Sequence, residues 1–306
     1  LPYLVNSEAD VERMFREQLK KLRTDYVDFY LIHALDKRAW PMAKRLKLFE
    51  WLLKRKEAGE IRHLGFSFHD EPEILQEIVN DRPWDFAQIQ LNCVDWELYR
   101  SREQYEILTK AGIPIIAMEP LRGSSLATLT PKCVEMLRTA NPDASPASWA
   151  LRWVGSLPNV LVVLSGMSSP EHLEDNIRTF RDFAPLSDKE RRTLAEVLKA
   201  YHNTGAVPCT NCKYCLPCPV GVEIPRIFGL YNSYKTSGDY RRRFGRIYAE
   251  FAPEAMASAC VECGACVKKC PQHIDIPKEL KKIHADYESR TGKTAFFWKD
   301  ESQFLA

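Results

Sequence analysis

The chain has 306 residues, 45% apolar and 27% charged, enough for one large domain with a buried core or for a large and a small one. Its 43 basic and 41 acidic residues leave a formal net charge of +2 without a long single-sign block, so nothing calls for nucleic acid or an anionic membrane as partner. No stretch has the apolar length of a membrane span and the start lacks the layout of a secretory signal, so a cytoplasmic protein is expected.

In chain order, Leu1 to Val5 reads as the tail of a strand. With Leu in first place, the chain is expected to begin inside a longer protein. Ser7-Glu8-Ala9-Asp10 is a capping box ahead of the helical period Val11, Met14, Phe15, Leu19 and Leu22. Strands are then expected at Tyr26 to His33, Ile61 to Ser67, Phe86 to Leu91, Ile113 to Met118 and Val160 to Leu164. Helices are expected near 45–58, 71–80, 101–111 and 145–156, and Ser169-Pro170-Glu171 opens another. Such alternation argues for parallel βα units of the α/β class. Counted from the partial first strand, they are strands three to eight of a (β/α)8 TIM barrel lacking its first two to three strands, about 70–90 residues short of the usual ~250.

The barrel is read as residues 1–183, followed by a helical connector over 184–206, with a helix from Ser187 to Tyr201. A small, mostly helical domain follows over 207–290, its two runs of closely spaced cysteines marking it as ferredoxin-like and iron–sulfur, with helices at Ile224 to Tyr234, Tyr240 to Phe251 and Pro277 to Ser289. The tail, 291–306, has no clear period.

Eight of the ten cysteines fall in two short runs, which in a reducing compartment points to metal binding rather than disulfides. The second run, Cys260, Cys263, Cys266 and Cys270 followed by Pro271, has the CxxCxxCxxxCP spacing of bacterial-type [4Fe–4S] sites. In the first, Cys209, Cys212, Cys215 and Cys218 precede Pro219, with two residues before the last cysteine instead of three. The fourth cysteine of each run is expected to reach the other cluster. Cys209, Cys212, Cys215 and Cys270 then hold one cluster, and Cys260, Cys263, Cys266 and Cys218 the other. Structural zinc sites, the competing reading, seldom pack four cysteines this tightly. Cys93 and Cys133 are expected to be small buried hydrophobes. Lys268, Lys269, Lys281, Lys282 and Arg241 to Arg243 could face an acidic partner, but solvated helix faces are the favoured reading.

The segment Asp25-Tyr26-Val27-Asp28-Phe29-Tyr30-Leu31-Ile32-His33 resembles the fourth strand of the aldo-keto reductase barrel. The resemblance makes His33 the histidine that helps position the substrate carbonyl. Ile61 to Ser67 resembles the fifth strand and Phe86 to Gln90 the sixth, which would place Ser67 and Gln88 on the nicotinamide carboxamide. Ala117-Met118-Glu119-Pro120-Leu121 resembles the seventh. Met118 stands there where many members carry a stacking aromatic, and Leu121 joins it at the cofactor. Leu164 through Asn176 resembles the eighth strand and its helix, putting Gly166, Met167, His172 and Asn176 at the adenosine end. Gly166 and His172 replace the Lys and Arg that bind the 2′-phosphate in NADP-preferring members, so NADH is favoured. Fusion to a two-cluster module resembles a known branch of the family and extends the match through about residue 290.

The family's catalytic Asp and Tyr lie upstream and its Lys just before Leu1, so the chain as it stands is expected not to reduce carbonyls at a useful rate. The leading expectation is an NAD(P)H-dependent oxidoreductase interconverting a small carbonyl and its alcohol, carrying two [4Fe–4S] clusters and serving an electron-transfer protein. The alternative is an iron–sulfur electron-transfer or interaction protein with the barrel as scaffold. Nicotinamide moves two electrons as a hydride and a cluster moves one, so a flavin intermediary, a radical-forming substrate or purely structural clusters would be needed.

Overall fold

The computed structural model describes residues 5, 7–202, 204–237 and 244–294. They form two compact units: residues 1–122 with 143–192, and 123–142 with 193–306. The expected strand at Leu1 to Val5 lies outside the described residues except for Val5, which is buried.

The first unit is built on five parallel strands: β1 (Val27–Leu35), β2 (Ile61–Phe68), β3 (Phe86–Gln90), β4 (Ile115–Met118) and β5 (Val160–Val163). They pair in chain order. Because the order never reverses, every crossover runs the same way around the sheet, as in a barrel and unlike a doubly wound sheet. β4 is shorter than expected because Pro114, lacking an N–H, precedes it.

The first helix, α1 (Glu8–Leu22), starts where its capping residues predict: Ser7 Oγ accepts from the Asp10 N–H at 3.2 Å. Val11, Phe15 and Leu19 recur on one face and are buried, each worth about 2 kcal/mol. Leu22, assigned to that stripe by its spacing, is instead 64% exposed, since the chain turns left-handed at Arg23 and α1 ends. The helix expected near 45–58 is α3 (Leu48–Glu57), and a further helix, α2 (Ala39–Arg45), precedes it, the two parted at Lys47 with φ +51°. There follow α4 (Pro72–Asp81), the short α5 (Asp95–Leu98) and α6 (Ser101–Lys110). Ile32, Phe66, Phe68 and Ile89 alternate toward the helices and form the centre of this core with Leu52, Leu75 and Trp84.

The stretch between β4 and the next barrel helix, where no helix was expected, carries α7 (Pro131–Ala140), capped by Thr130 Oγ1 on the Cys133 N–H at 3.2 Å. The helices α8 (Pro146–Gly155) and α9 (Pro170–Arg181) flank β5, and α10 (Asp188–His202) leads onward. In the second unit α11 (Ile224–Ser237), α12 (Arg246–Ala249) and α13 (Ile276–Thr294) enclose a separate core containing Ile227, Phe228, Tyr231, Phe244, Tyr248 and Ile283. Of the helix expected at Tyr240 to Phe251, residues 240–243 lie outside the described set. The rest is a single α turn preceded by a wider π turn and followed by two 3-10 turns.

Candidate functional site

Two groups of chemistry-bearing residues stand out, one in each unit. In the first, the predicted side chains lie at the C-terminal ends of the parallel strands, where (β/α) folds build their sites. Between Ile32↔Phe66 and Leu35↔Phe68, β1 spends two residues, His33 and Ala34, against the single Ser67 of β2. This bulge is held by the Ala34 N–H, which donates to Ser67 Oγ at 2.7 Å, while Ala34 itself sits at φ +55°. Ser67 is 1% exposed, and its own hydroxyl proton remains able to donate. His33 is half-buried, and that burial lowers its pKa, favouring the neutral imidazole.

Ser67 pairs in register with Gln88, and Gln88 Nε2 reaches Met118 Sδ at 3.4 Å. His33, Ser67, Gln88 and Met118 are thus neighbours across four strands. Leu121 follows in the turn after β4 and is half-buried. Gly166, Met167 and His172 are exposed where the chain leaves β5 and enters α9, with Ser169 Oγ capping the His172 N–H at 3.4 Å. Asn176 Nδ2 donates to Ser165 Oγ at 2.9 Å and so ties this loop to the helix.

The motif reading missed the polar network beneath this edge. Asp95, with no exposed surface, accepts from Arg122 Nε at 2.8 Å, Gln90 Nε2 at 2.6 Å and Asn92 Nδ2 at 2.7 Å. Arg122 is only 3% exposed. Asn92 Oδ1 accepts from the Val94 and Asp95 N–H groups, and its amide also donates to the Glu119 carbonyl at 3.0 Å. The turn after β3 is thereby fastened to the turn after β4. Asn92 three residues before Asp95 was a visible Asx-turn signal, but its ionic partner lies 27 residues away.

In the second unit, the two cysteine runs share a backbone pattern. The second residue after the first cysteine and the residue after the second cysteine are left-handed in both: Asn211 (φ +60°) and Lys213 (+66°), then Glu262 (+52°) and Gly264 (+70°). Such alternation turns successive N–H groups inward and makes a concave seat for an anion. After the third cysteine the runs diverge. The first passes through Leu216 and Pro217, joined by a cis peptide bond, whereas the second takes up its extra residue in a 3-10 turn, Val267–Lys269.

Two small pockets result, one beside each run. Cys209, Cys212, Cys215 and Cys270 line one, and Cys218, Cys260, Cys263 and Cys266 the other, with Ile224 lining both. Burial pushes the Cys215 thiol up to about 12, with Cys209, Cys212 and Cys270 adding to the rise. Cys266 is raised by burial and then by Cys260 and Cys218. Each thiol therefore feels the partners of its own cavity. Among the described residues, no three Cys, His, Asp or Glu side chains converge tightly enough for a single metal ion. The residues fit a cluster: soft thiolate donors, an apolar lining and inward N–H groups.

Cys93 and Cys133 are buried as expected; burial pushes Cys93 up to about 12, and Cys133 Sγ lies 3.8 Å from the Val197 carbonyl. Lys268, Lys269, Lys281 and Lys282 are exposed, and Arg241 to Arg243 lie outside the described residues. Among the described residues, no helix is long and apolar enough to cross a membrane.

Comparison with known proteins agrees with both halves. Residues 5–199 match the aldo/keto reductase family and residues 208–274 the 4Fe-4S dicluster domain. The chain belongs to the aldo/keto reductase family and carries a dicluster domain behind it. An aldo-keto reductase of Mycolicibacterium vanbaalenii is 33% identical over 179 residues, covering 57% of this chain and 58% of that protein. An uncharacterized oxidoreductase of Schizosaccharomyces pombe is 25% identical over 161 residues, or 52% and 49% of the two chains. The chain thus spans a little over half the length of the first of these and about half of the second. Among solved structures, an aldo-keto reductase from Klebsiella pneumoniae in complex with NADPH superposes with TM-score 0.54 at 21% identity, covering 66% of this chain and 68% of that one. A thermostable aldo-keto reductase bound to the inhibitor epalrestat gives 0.51 at 26% identity, covering 62% and 67%. These likenesses establish the α/β, TIM-barrel-like fold.

Proposed function

We propose that the whole protein is an oxidoreductase that interconverts a small carbonyl and its alcohol with a nicotinamide cofactor in the barrel and holds two [4Fe–4S] clusters behind it. The observation that carries the reading is the pair of pockets, each lined by three cysteines of one run and one of the other. When bound, nicotinamide supplies a hydride and a cluster a single electron. His33, kept neutral by burial, orients the carbonyl as a hydrogen-bond donor. Ser67 and Gln88, paired across β2 and β3, hold the carboxamide, with Met118 and Leu121 beside the ring. Gly166, Met167, His172 and Asn176 hold the adenosine end. Without a fixed cation at residue 166 or 172, a 2′-phosphate gains no charge-assisted contact there, which favours NADH.

Mismatch between two-electron and one-electron chemistry calls for an intermediary, a flavin or a substrate that passes through a radical, wherever the clusters exchange electrons with the barrel chemistry. The physiological acceptor is then a soluble electron-transfer protein, in a reducing, cytoplasmic setting suited to eight thiolates.

The reading is tested on anaerobically reconstituted protein. About eight irons and eight sulfides are expected per chain, four of each in a cluster. Cys209→Ser with Cys270→Ser removes two cysteines of one cavity and leaves about half the iron; Cys209→Ser with Cys218→Ser strikes both cavities and leaves almost none. The reverse pattern overturns the crossed ligation, and wild-type protein without sulfide overturns the clusters. Carbonyl reduction by the full-length protein is expected with NADH in preference to NADPH; equal efficiency with NADPH removes the cofactor preference. NADH alone, without flavin, is expected to leave the cluster EPR signals unchanged.

A further inference from the structure

Gly123 sits at φ +58° in the turn after Arg122, and its Cα rests against the backbone of Thr210. A Cβ built on it would come within 2.8 Å of the Thr210 carbonyl carbon and 2.9 Å of its Cα, and closer still to the carbonyl oxygen. Real Cβ atoms do not approach backbone that closely, and Thr210 is only 6% exposed, so the strand of chain it belongs to has little room to yield. Thr210 lies between Cys209 and Cys212 and lines the first cavity with them.

The peptide group pressed against Gly123 has a second end. The Thr210 carbonyl and the Asn211 N–H belong to one rigid plane, and that N–H donates to Cys209 Sγ at 3.4 Å. Asn211 is itself left-handed at φ +60°, a conformation Asn tolerates but other side chains resist. The carbonyl side of the plane is fixed by Gly123, and the N–H side points at a cluster thiolate. Hydrogen bonds to the sulfurs of an iron–sulfur cluster stabilise its more negative, reduced form and raise its potential.

We propose that Gly123 is a positioning residue for the first cluster: its bare Cα seats the Thr210–Asn211 peptide so that the amide stays on Cys209 Sγ and sets that cluster's reduction potential. This rests on the reading of Cys209, Cys212, Cys215 and Cys270 as one ligand set. Gly112 is the control for left-handed strain alone, because at φ +69° it has nothing within 4 Å of a built Cβ.

The test is an EPR-monitored redox titration of the reconstituted full chain, with iron and sulfide counted. Gly123→Ala is expected to move the first cluster to a lower potential, or to lose it, while the second keeps its signal and potential. Gly112→Ala is expected to titrate like wild type. Both clusters at wild-type potentials in Gly123→Ala, or both shifted alike, overturns the proposal while leaving the cluster reading intact. Wild-type protein without clusters overturns that reading instead. If Gly123→Ala does not accumulate, pulsed EPR of the wild type after exchange into deuterated buffer decides: an exchangeable proton coupled to the first cluster through Cys209 is expected, and its absence refutes the seat.

Discussion

Asp95→Ala should unfold the barrel unit far more easily than its small size suggests. Asp95 has no exposed surface and Arg122 only 3%, so the variant leaves a guanidinium buried without the carboxylate it faces. Breaking a buried pair in this way costs about 3–5 kcal/mol. The amides of Gln90 and Asn92 lose an acceptor too, at about 1 kcal/mol each, partly recovered if water enters the gap. A loss of about 4 kcal/mol follows, which at an m-value of ~2 kcal/mol/M lowers the urea midpoint by about 2 M. Tryptophan fluorescence is the suitable probe because Trp40, Trp51, Trp84, Trp96, Trp149 and Trp153 all belong to the first unit. Arg122→Met should cost about 3 kcal/mol, since the remaining carboxylate keeps its two amide donors. Asp95→Leu with Arg122→Met, which removes both charges, should cost only about 1–2 kcal/mol. A loss below 1 kcal/mol for Asp95→Ala, or a double variant as costly as the two single ones added, would refute the argument that unpaired buried charge is the penalty.

Other consequences are cheaper to check. Arg152 grips Glu190 with two nitrogens at 2.6 and 3.1 Å and holds its pKa at about 2. Because that value is depressed, the stabilisation is complete above ordinary carboxylate pH and disappears as pH falls toward 2. Glu190→Gln should therefore cost about 1 kcal/mol at neutral pH in a thermal melt, the difference from wild type closing in acid. Ser67→Ala leaves the half-buried Ala34 N–H without its acceptor and should cost about 1 kcal/mol, with a raised KM for nicotinamide in the full-length protein; an unchanged melt would contradict the role of Ser67 in holding the bulge. In a proton NMR titration His33 should titrate below a free imidazole. Its share of stability is then complete above about pH 6.5 and is lost as the pH falls below that, whereas a midpoint at or above the free value contradicts burial as the dominant influence.

What could be read in the sequence divides along physical lines. The cysteine runs were legible because cluster ligation fixes residue type and spacing together, and both runs line cavities. β2 and β3 were legible because apolar residues alternate between clear turn signals. The break at Lys47 was not, because a left-handed residue with a full side chain is selected by packing, with no Gly or Pro to mark it. Thr130-Pro131 was a proper helix start for α7, overlooked because the segment has no catalytic-looking residue. Asp95 with Arg122, and Gly123 against Thr210, join residues 27 and 87 positions apart, and no local pattern predicts such meetings.

Under the crossed ligation proposed above, the fourth cysteines also impose an order in time. The first cavity takes three cysteines by residue 215 but waits for Cys270, so a chain leaving the ribosome at roughly 5–20 residues per second exposes an unfinished thiol set for about 3–11 seconds. The second cavity needs Cys218 from that early stretch, so neither run completes a site alone. On that proposal metal loading and closure of this unit would be a single late event, and a nascent chain cut short between residues 218 and 260 would display the four thiols of the first run with no finished seat for a cluster.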